Sequence, residues 1–161
     1  MYKKILVPLD GSELSEGTLS DVITIAKGCE VPEVVLLTVT EALDKSIMEV
    51  IDAKVSMDLD QAYEIATEKD QAYLDEIVNY LKKIAKILKQ NGITTIIEIL
   101  SGKPAEEILK YSKDNEVDLI VMSTHGRSGF SRVVFGSVAD KVLRQSEVPL
   151  LLRPAGQSSL E

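Results

Sequence analysis

The residues best suited to chemistry lie between positions 123 and 137. The run reads Ser123-Thr124-His125-Gly126-Arg127-Ser128-Gly129, continues from Phe130 to Phe135, and reaches Gly136-Ser137, where a helical pattern begins. Glycines let backbone N–H groups approach a ligand closely because no Cβ intervenes, and a helix start favours an anion. Together with the hydroxyls, this is the chemistry of a phosphate cradle. Arg127 and Arg132 add positive charge to the stretch. The competing reading is a glycine-containing connection closed by an ordinary helix cap at Ser137, and spacing alone leaves both open. The other position of interest is Asp10, in Pro8-Leu9-Asp10-Gly11-Ser12. A carboxylate there can cap a loop, accept from a nucleotide's hydroxyl or amino group, or help to hold Mg2+.

Other chemistries are excluded. No GxxxxGK[ST] occurs, and Pro-Leu-Asp-Gly-Ser stands where a dinucleotide GxGxxG would follow the first strand. His125 is the only histidine and Cys29 the only cysteine, so neither a multi-histidine zinc site nor a disulfide framework can be built within the chain. Ser12, His125 and Asp10 form a hydrolytic triad on paper, but no GxSxG elbow accompanies them. Cys29, near the end of a helical segment, reads as a buried small hydrophobe. Hydrolysing a nucleotide needs a positioned water and charge stabilisation. Arg127, Arg132 and His125 could contribute charge, yet no base is identifiable and no catalytic residue is assigned.

Aliphatic strands must position these residues. KKILVPLD, EVVLLTVT, TTIIEIL, DLIVMST and VPLLLRP are short runs rich in Val, Ile and Leu, apolar on both alternating faces, as strands of a covered parallel sheet are. Helical segments separate them. Residues 13–28 stripe Leu14, Leu19, Val22, Ile23 and Ala26, with Ser12 as N-cap. Residues 104–116 start with Pro104 and turn Ala105, Ile108 and Leu109 inward. Residues 136–146 carry Val138, Val142 and Leu143. From Tyr73 to Leu88 the apolar residues keep helical spacing for almost five turns, with acids early, lysines late and Asn91-Gly92 as the stop. Residues 44–69 are acidic and helically spaced, and read as an insertion. Strand–helix alternation is the α/β signature, and ligands then bind beyond the carboxyl ends of the strands where strand order reverses. The loops to inspect follow the first, second and fourth strands.

Composition bounds the partners. The 161 residues favour one domain; 45% are hydrophobic, 4% aromatic and none Trp, so the core is aliphatic. A net charge of −8 argues against nucleic acid as a partner. The apolar runs are far too short to span a membrane, and the start MYKKILVPLD does not read as a signal peptide, so a cytoplasmic location is expected. One segment opposes the acidic trend. Residues 126–154 hold Arg127, Arg132, Lys141, Arg144 and Arg153 against only Asp140 and Glu147, a charge suited to a small anion.

The stretches KKILVPLDGSELSE, DLIVMSTHGRSGFSRVVFGSVADKVL and VPLLLRP resemble the universal stress protein family in its ATP-binding branch. The family's nucleotide motif is Gly, two residues, Gly, nine residues, then Gly-Ser or Gly-Thr. Gly126, the nine residues Arg127 to Phe135 and Gly136-Ser137 match it, while Ser123 occupies the first glycine position. The resemblance covers roughly 1–41 and 93–154. It implies an α/β three-layer sandwich of the adenine nucleotide alpha hydrolase type, a five-stranded parallel sheet in order 3-2-1-4-5 with helices on both faces. The domain would be 1–154, with a variable helical insertion at about 42–70 and a disordered tail at 155–161. By position, Pro8, Leu9 and Asp10 would line the adenosine, with Val39 against the adenine. Met122, Ser123 and Gly126 would lie near the ribose and first phosphate. Gly129, Gly136, Ser137 and Val138 would face the phosphate chain beside Arg127, with Mg2+ or Mn2+ as bridging ions. The implied function is ATP binding in a stress-response regulatory module, dimeric through the last strand, Val148 to Leu152. A slow ATPase and a nucleotide-free dimeric interaction protein are the alternatives.

Overall fold

The computed structural model describes residues 2–40, 68–124 and 136–154. The proposed insertion at 42–70, apart from its last three residues, and the tail at 155–161 lie outside the described residues. Five strands form one parallel sheet: β1 (Lys4–Pro8), β2 (Glu33–Thr40), β3 (Thr95–Ser101), β4 (Leu119–Ser123) and β5 (Leu150–Arg153), in order β3-β2-β1-β4-β5. The expected α/β architecture is the observed one. The helices are α1 (Glu13–Glu16), α2 (Leu19–Gly28), α3 (Glu68–Gln90), α4 (Pro104–Asp114) and α5 (Ser137–Gln145).

The aliphatic runs divide by parity, because successive side chains of a strand point to opposite faces. Ile5, Val7, Val34 and Leu36 join Val22, Leu81, Ile84 and Leu88 in a core beneath α2 and α3. Leu6, Val35, Leu37 and Ile120 join Ile108, Ala139 and Val142 in a second core beneath α4 and α5. The sheet is thus the middle of three layers.

Local signals explain the helix boundaries. Ser12 caps α1, its hydroxyl accepting from the Ser15 N–H at 3.2 Å, and Pro104 sits in the first turn of α4. Gly92, at φ 78°, ends α3, and the Ile93 N–H reaches back to the Leu88 carbonyl at 3.1 Å. Three expectations are corrected. The segment 13–28 is two helices, because the Thr18 hydroxyl and N–H both turn back onto the Ser15 carbonyl, at 2.7 and 3.2 Å, and interrupt the helix. Cys29 is only half-buried, at the C-cap of α2. Leu143 points to solvent, 45% exposed, because Ala139 and Val142 already fill the inward stripe of α5.

The sheet opens where strand order reverses. β1 pairs with β2 along its whole length, Lys4 opposite Glu33 through Pro8 opposite Leu37, but with β4 only at Ile5–Leu119 and Leu6–Ile120. The Leu9 N–H donates to the Leu37 carbonyl at 2.8 Å, on the β2 side. Alternation therefore turns Pro8 toward β4, and Pro8 has no N–H to give. The ladder stops there and the two strand ends part.

Candidate functional site

A cleft of about 680 Å3 fills the opening between the parted strand ends. Its volume is that of a small-molecule site, and its position, beyond the carboxyl ends of β1, β2 and β4, is where open α/β sheets bind ligands. β1 and its following turn contribute Pro8, Leu9, Asp10 and Gly11, β2 contributes Val39, and β4 contributes Met122 and Ser123. Gly136, Ser137 and Val138 line it from the start of α5. Every described residue of the expected site thus faces one cleft. Gly126, Arg127 and Gly129 lie outside the described residues, as do His125 and Arg132.

The α5 terminus has the clearest electrostatic character. Its N-cap is Gly136, at φ −57° and ψ 151°, with Ser137 in the first helical position. A serine or aspartate cap would spend its side-chain oxygen on the amides of the first turn; glycine cannot. The Gly136 N–H itself is committed to the Thr124 carbonyl at 2.6 Å, and Thr124 in turn donates to the Arg153 carbonyl at 2.9 Å. The first helical bond runs from Asp140 N–H to the Gly136 carbonyl. The backbone amides of Ser137, Val138 and Ala139 consequently have no acceptor within the helix, and all three residues line the cleft. A row of such donors with the dipole behind it suits an anion.

The basic stretch does something else. Arg144 makes two bonds to Asp140 at 2.9 and 3.0 Å, Lys141 reaches Glu106 at 2.9 Å, and Arg153 holds Asp21 at 2.6 Å and Ser20 at 3.2 Å. None of the three lines the cleft. The expectation that this charge serves a small anion is corrected for them: Lys141 ties α5 to α4, Arg153 ties β5 to α2, and Arg144 pairs within α5.

At the other end, Asp10 Oδ1 accepts from the Ser12 N–H at 3.0 Å and the Ser12 hydroxyl at 2.6 Å, closing a turn over Gly11, whose φ of 80° suits glycine. Asp10 therefore caps a loop and also faces the cleft. Sequence reasoning missed the wall supplied by α3. Tyr73, Glu76, Ile77 and Tyr80 line the cleft, and the Tyr73 hydroxyl meets that of Thr40 at 3.0 Å. Their i, i+3, i+4, i+7 spacing was the available signal, and its polar and aromatic members set it apart from a core stripe. Burial chiefly pushes the Tyr80 phenol up to about 12; the Ser15 hydroxyl acts the other way, and the Glu16 and Asp10 carboxylates add to the rise. Among the described residues no three His, Cys, Asp or Glu side chains converge as metal ligands. No helix of the described residues is long and apolar enough to cross a membrane.

Comparison with known proteins agrees with this geometry. The model of the universal stress protein family matches residues 1–154. Universal stress protein MJ0531 of Methanocaldococcus jannaschii is 32% identical over 152 residues, covering 94% of this chain and 82% of that protein. The solved structure of MJ0577, from the same organism, superposes with a TM-score of 0.76 at 31% identity, covering 98% of this chain and 99% of that one. A universal stress protein from Archaeoglobus fulgidus in complex with dAMP shares the fold, with a TM-score of 0.64 at 18% identity over 94% of this chain and 97% of that one. By sequence and by fold, the chain belongs to the universal stress protein family.

Proposed function

We propose that this protein is an adenine-nucleotide-binding regulatory module of the stress response. ATP or a related adenine nucleotide would lie across the parted ends of β1 and β4. The base would rest against Pro8, Leu9 and Val39, with Asp10 beside the ribose, Met122 and Ser123 beneath, and the phosphates on the amides of α5. The observation that carries this reading is the glycine-capped α5, whose first amides open into the cleft without a side chain to occupy them. The dAMP complex of the Archaeoglobus protein supports the choice of ligand class. The reading assigns no catalytic residue and routes no step through a metal. It includes a cytoplasmic homodimer formed along β5, whose outer edge has no strand partner in this sheet.

The test is to denature protein purified without added nucleotide, chromatograph what it releases, and measure the thermal shift on adding Mg-ATP. Released adenine nucleotide, or a saturable shift, is expected. Neither appearing would overturn the proposal. A nucleotide-free interaction protein is the second reading, favoured by Ser123, which stands buried at the cleft where the motif has glycine. If Ser123→Gly creates binding that the parent lacks, the second reading is right.

A further inference from the structure

The cleft extends past the nucleotide positions, and the surplus lies on one side of the sheet. Parity separates the two sides. β2 sends Leu37 and Val39 toward α4 and α5, and Thr38 and Thr40 toward α3. Of the positions assigned to the nucleotide, Val39, Met122 and Val138 belong to the α4 and α5 side, and Leu9 alone packs into the core on the α3 side. On the α3 side the lining is Thr38, Thr40, Tyr73, Glu76, Ile77 and Tyr80, and the nucleotide reading uses none of them.

Their chemistry differs from that of the phosphate end. Tyr73, Ile77 and Tyr80 form a wall about 10 Å long on one helical stripe, and Glu76 stands on the same stripe at the rim. The Tyr80 hydroxyl is buried beside Ser15 with no hydrogen bond of acceptable geometry. The charged groups acting on it from the neighbouring elements are both carboxylates, Glu16 on α1 and Asp10 after β1. No Lys, Arg or His occurs among the described residues that line the cleft. An aromatic and aliphatic wall with a carboxylate at its rim matches an ammonium group carried on an apolar body.

We propose that the α3 side of the cleft is a second ligand site, for an amine with an apolar or aromatic body, occupied independently of the nucleotide. The ammonium lies beside Glu76 and the Tyr80 ring, and the body lies along Ile77 and Tyr73. The probes are phenethylamine and its uncharged counterpart 2-phenylethanol, tested on the full chain by saturation-transfer NMR with and without saturating AMP. The amine should bind at least about fivefold tighter than the alcohol and persist when AMP is present. Glu76→Gln should weaken the amine about three- to fivefold, leave the alcohol unchanged and keep AMP affinity within about twofold. Tyr80→Leu, which removes the ring, should weaken the amine by a similar factor. Equal binding of amine and alcohol, displacement of the amine by AMP, or an unchanged amine affinity in Glu76→Gln would each overturn the proposal. Glu76 is exposed, so its variant tests the idea even if the tyrosine variant folds poorly. An amine that binds while AMP does not would instead refute the nucleotide reading and leave this one standing.

Discussion

Replacing Gly136 by aspartate separates a ligand-binding glycine from a merely structural one, because the two readings give opposite signs. The backbone at Gly136, φ −57° and ψ 151°, lies in a region any residue adopts, so a side chain adds no conformational strain. Aspartate is a strong N-cap, and its charge meets the positive end of α5, together worth about 0.5–1 kcal/mol. For a domain of this size the melting temperature should rise by about 1–4 °C. Affinity should move the other way. The aspartate oxygen would take one of the amides of the first turn, removing a charge-assisted hydrogen bond to phosphate worth about 1.5–3 kcal/mol. The carboxylate would also repel the phosphate at close range. Together these predict a loss of at least about 100-fold in ATP affinity. Gly136→Ala isolates the steric part. The poorer cap and the stiffer unfolded chain nearly cancel, leaving stability within about 1 kcal/mol, while the added methyl still obstructs close approach of the phosphate. Differential scanning fluorimetry and isothermal titration with ATP read both quantities on the same samples. A Gly136→Asp protein that binds ATP within threefold of the parent would refute the assignment of phosphate to these amides. One that melts lower would refute the account of α5 as an uncapped helix.

Other perturbations test the frame around the cleft. Arg153→Met breaks the 2.6 Å pair with Asp21, in which the arginine side chain is 15% exposed, and should cost about 1–3 kcal/mol in urea unfolding; an unchanged midpoint would mean that β5 is held without it. Ile84→Ala removes a fully buried side chain from the core beneath α3 and should cost about 2–5 kcal/mol, read as a lower urea midpoint with the same slope. The Asp118 carboxyl accepts from the Lys3 and Lys4 N–H groups at 2.7 and 2.8 Å, which holds its pKa below the ordinary 3.8. Its folded value is the lower one, so its stabilisation is complete above the ordinary value and fades as pH falls below it. The stability gap between parent and Asp118→Asn should therefore be about 1 kcal/mol at neutral pH and shrink as the pH falls below the ordinary 3.8; a gap independent of pH would contradict this. The Ile120 and Thr124 N–H groups bond to the Pro149 and Arg153 carbonyls, so alternation leaves the Leu150 and Leu152 backbone groups on the outer edge of β5. Leu152→Pro should convert the proposed dimer to a folded monomer in sedimentation; a dimer that survives does not pair along β5.

How much of this was legible in the sequence depended on the range of the information. The strands could be read because Val, Ile and Leu runs are local and each had to be buried on both faces. Their order followed from the resemblance to the family. The α5 end of the cleft was readable because β4 and the Gly136-Ser137 that opens α5 lie inside one continuous stretch of sequence. The role of the cations was not. Lys141, Arg144 and Arg153 looked like an anion site by composition, but their partners are Glu106, Asp140 and Asp21, and two of those lie more than 30 residues away. The α3 wall was hidden for the same reason. Tyr73 reaches Thr40 only because α3 crosses back over the end of β2, and nothing between positions 41 and 67 announces where that crossing begins.

The opening itself was written in a single residue. Pro8 has no N–H, the Leu9 bond to Leu37 turns that missing donor toward β4, and the β1–β4 ladder ends at Leu6 and Ile120. An unpaired β4 carbonyl at this depth would cost free energy if nothing polar replaced the lost donor. Here the strand ends separate and line a cleft with polar rims instead. The proline therefore does more than tolerate the crevice between β1 and β4: it removes the hydrogen bond that would close it. Pro8→Ala should restore a donor on that side, draw the strand ends together and reduce ligand affinity while raising protection of the β4 amides in hydrogen exchange. Unchanged exchange at Val121 and Ser123, whose N–H groups face β1, would show that the strands part for another reason.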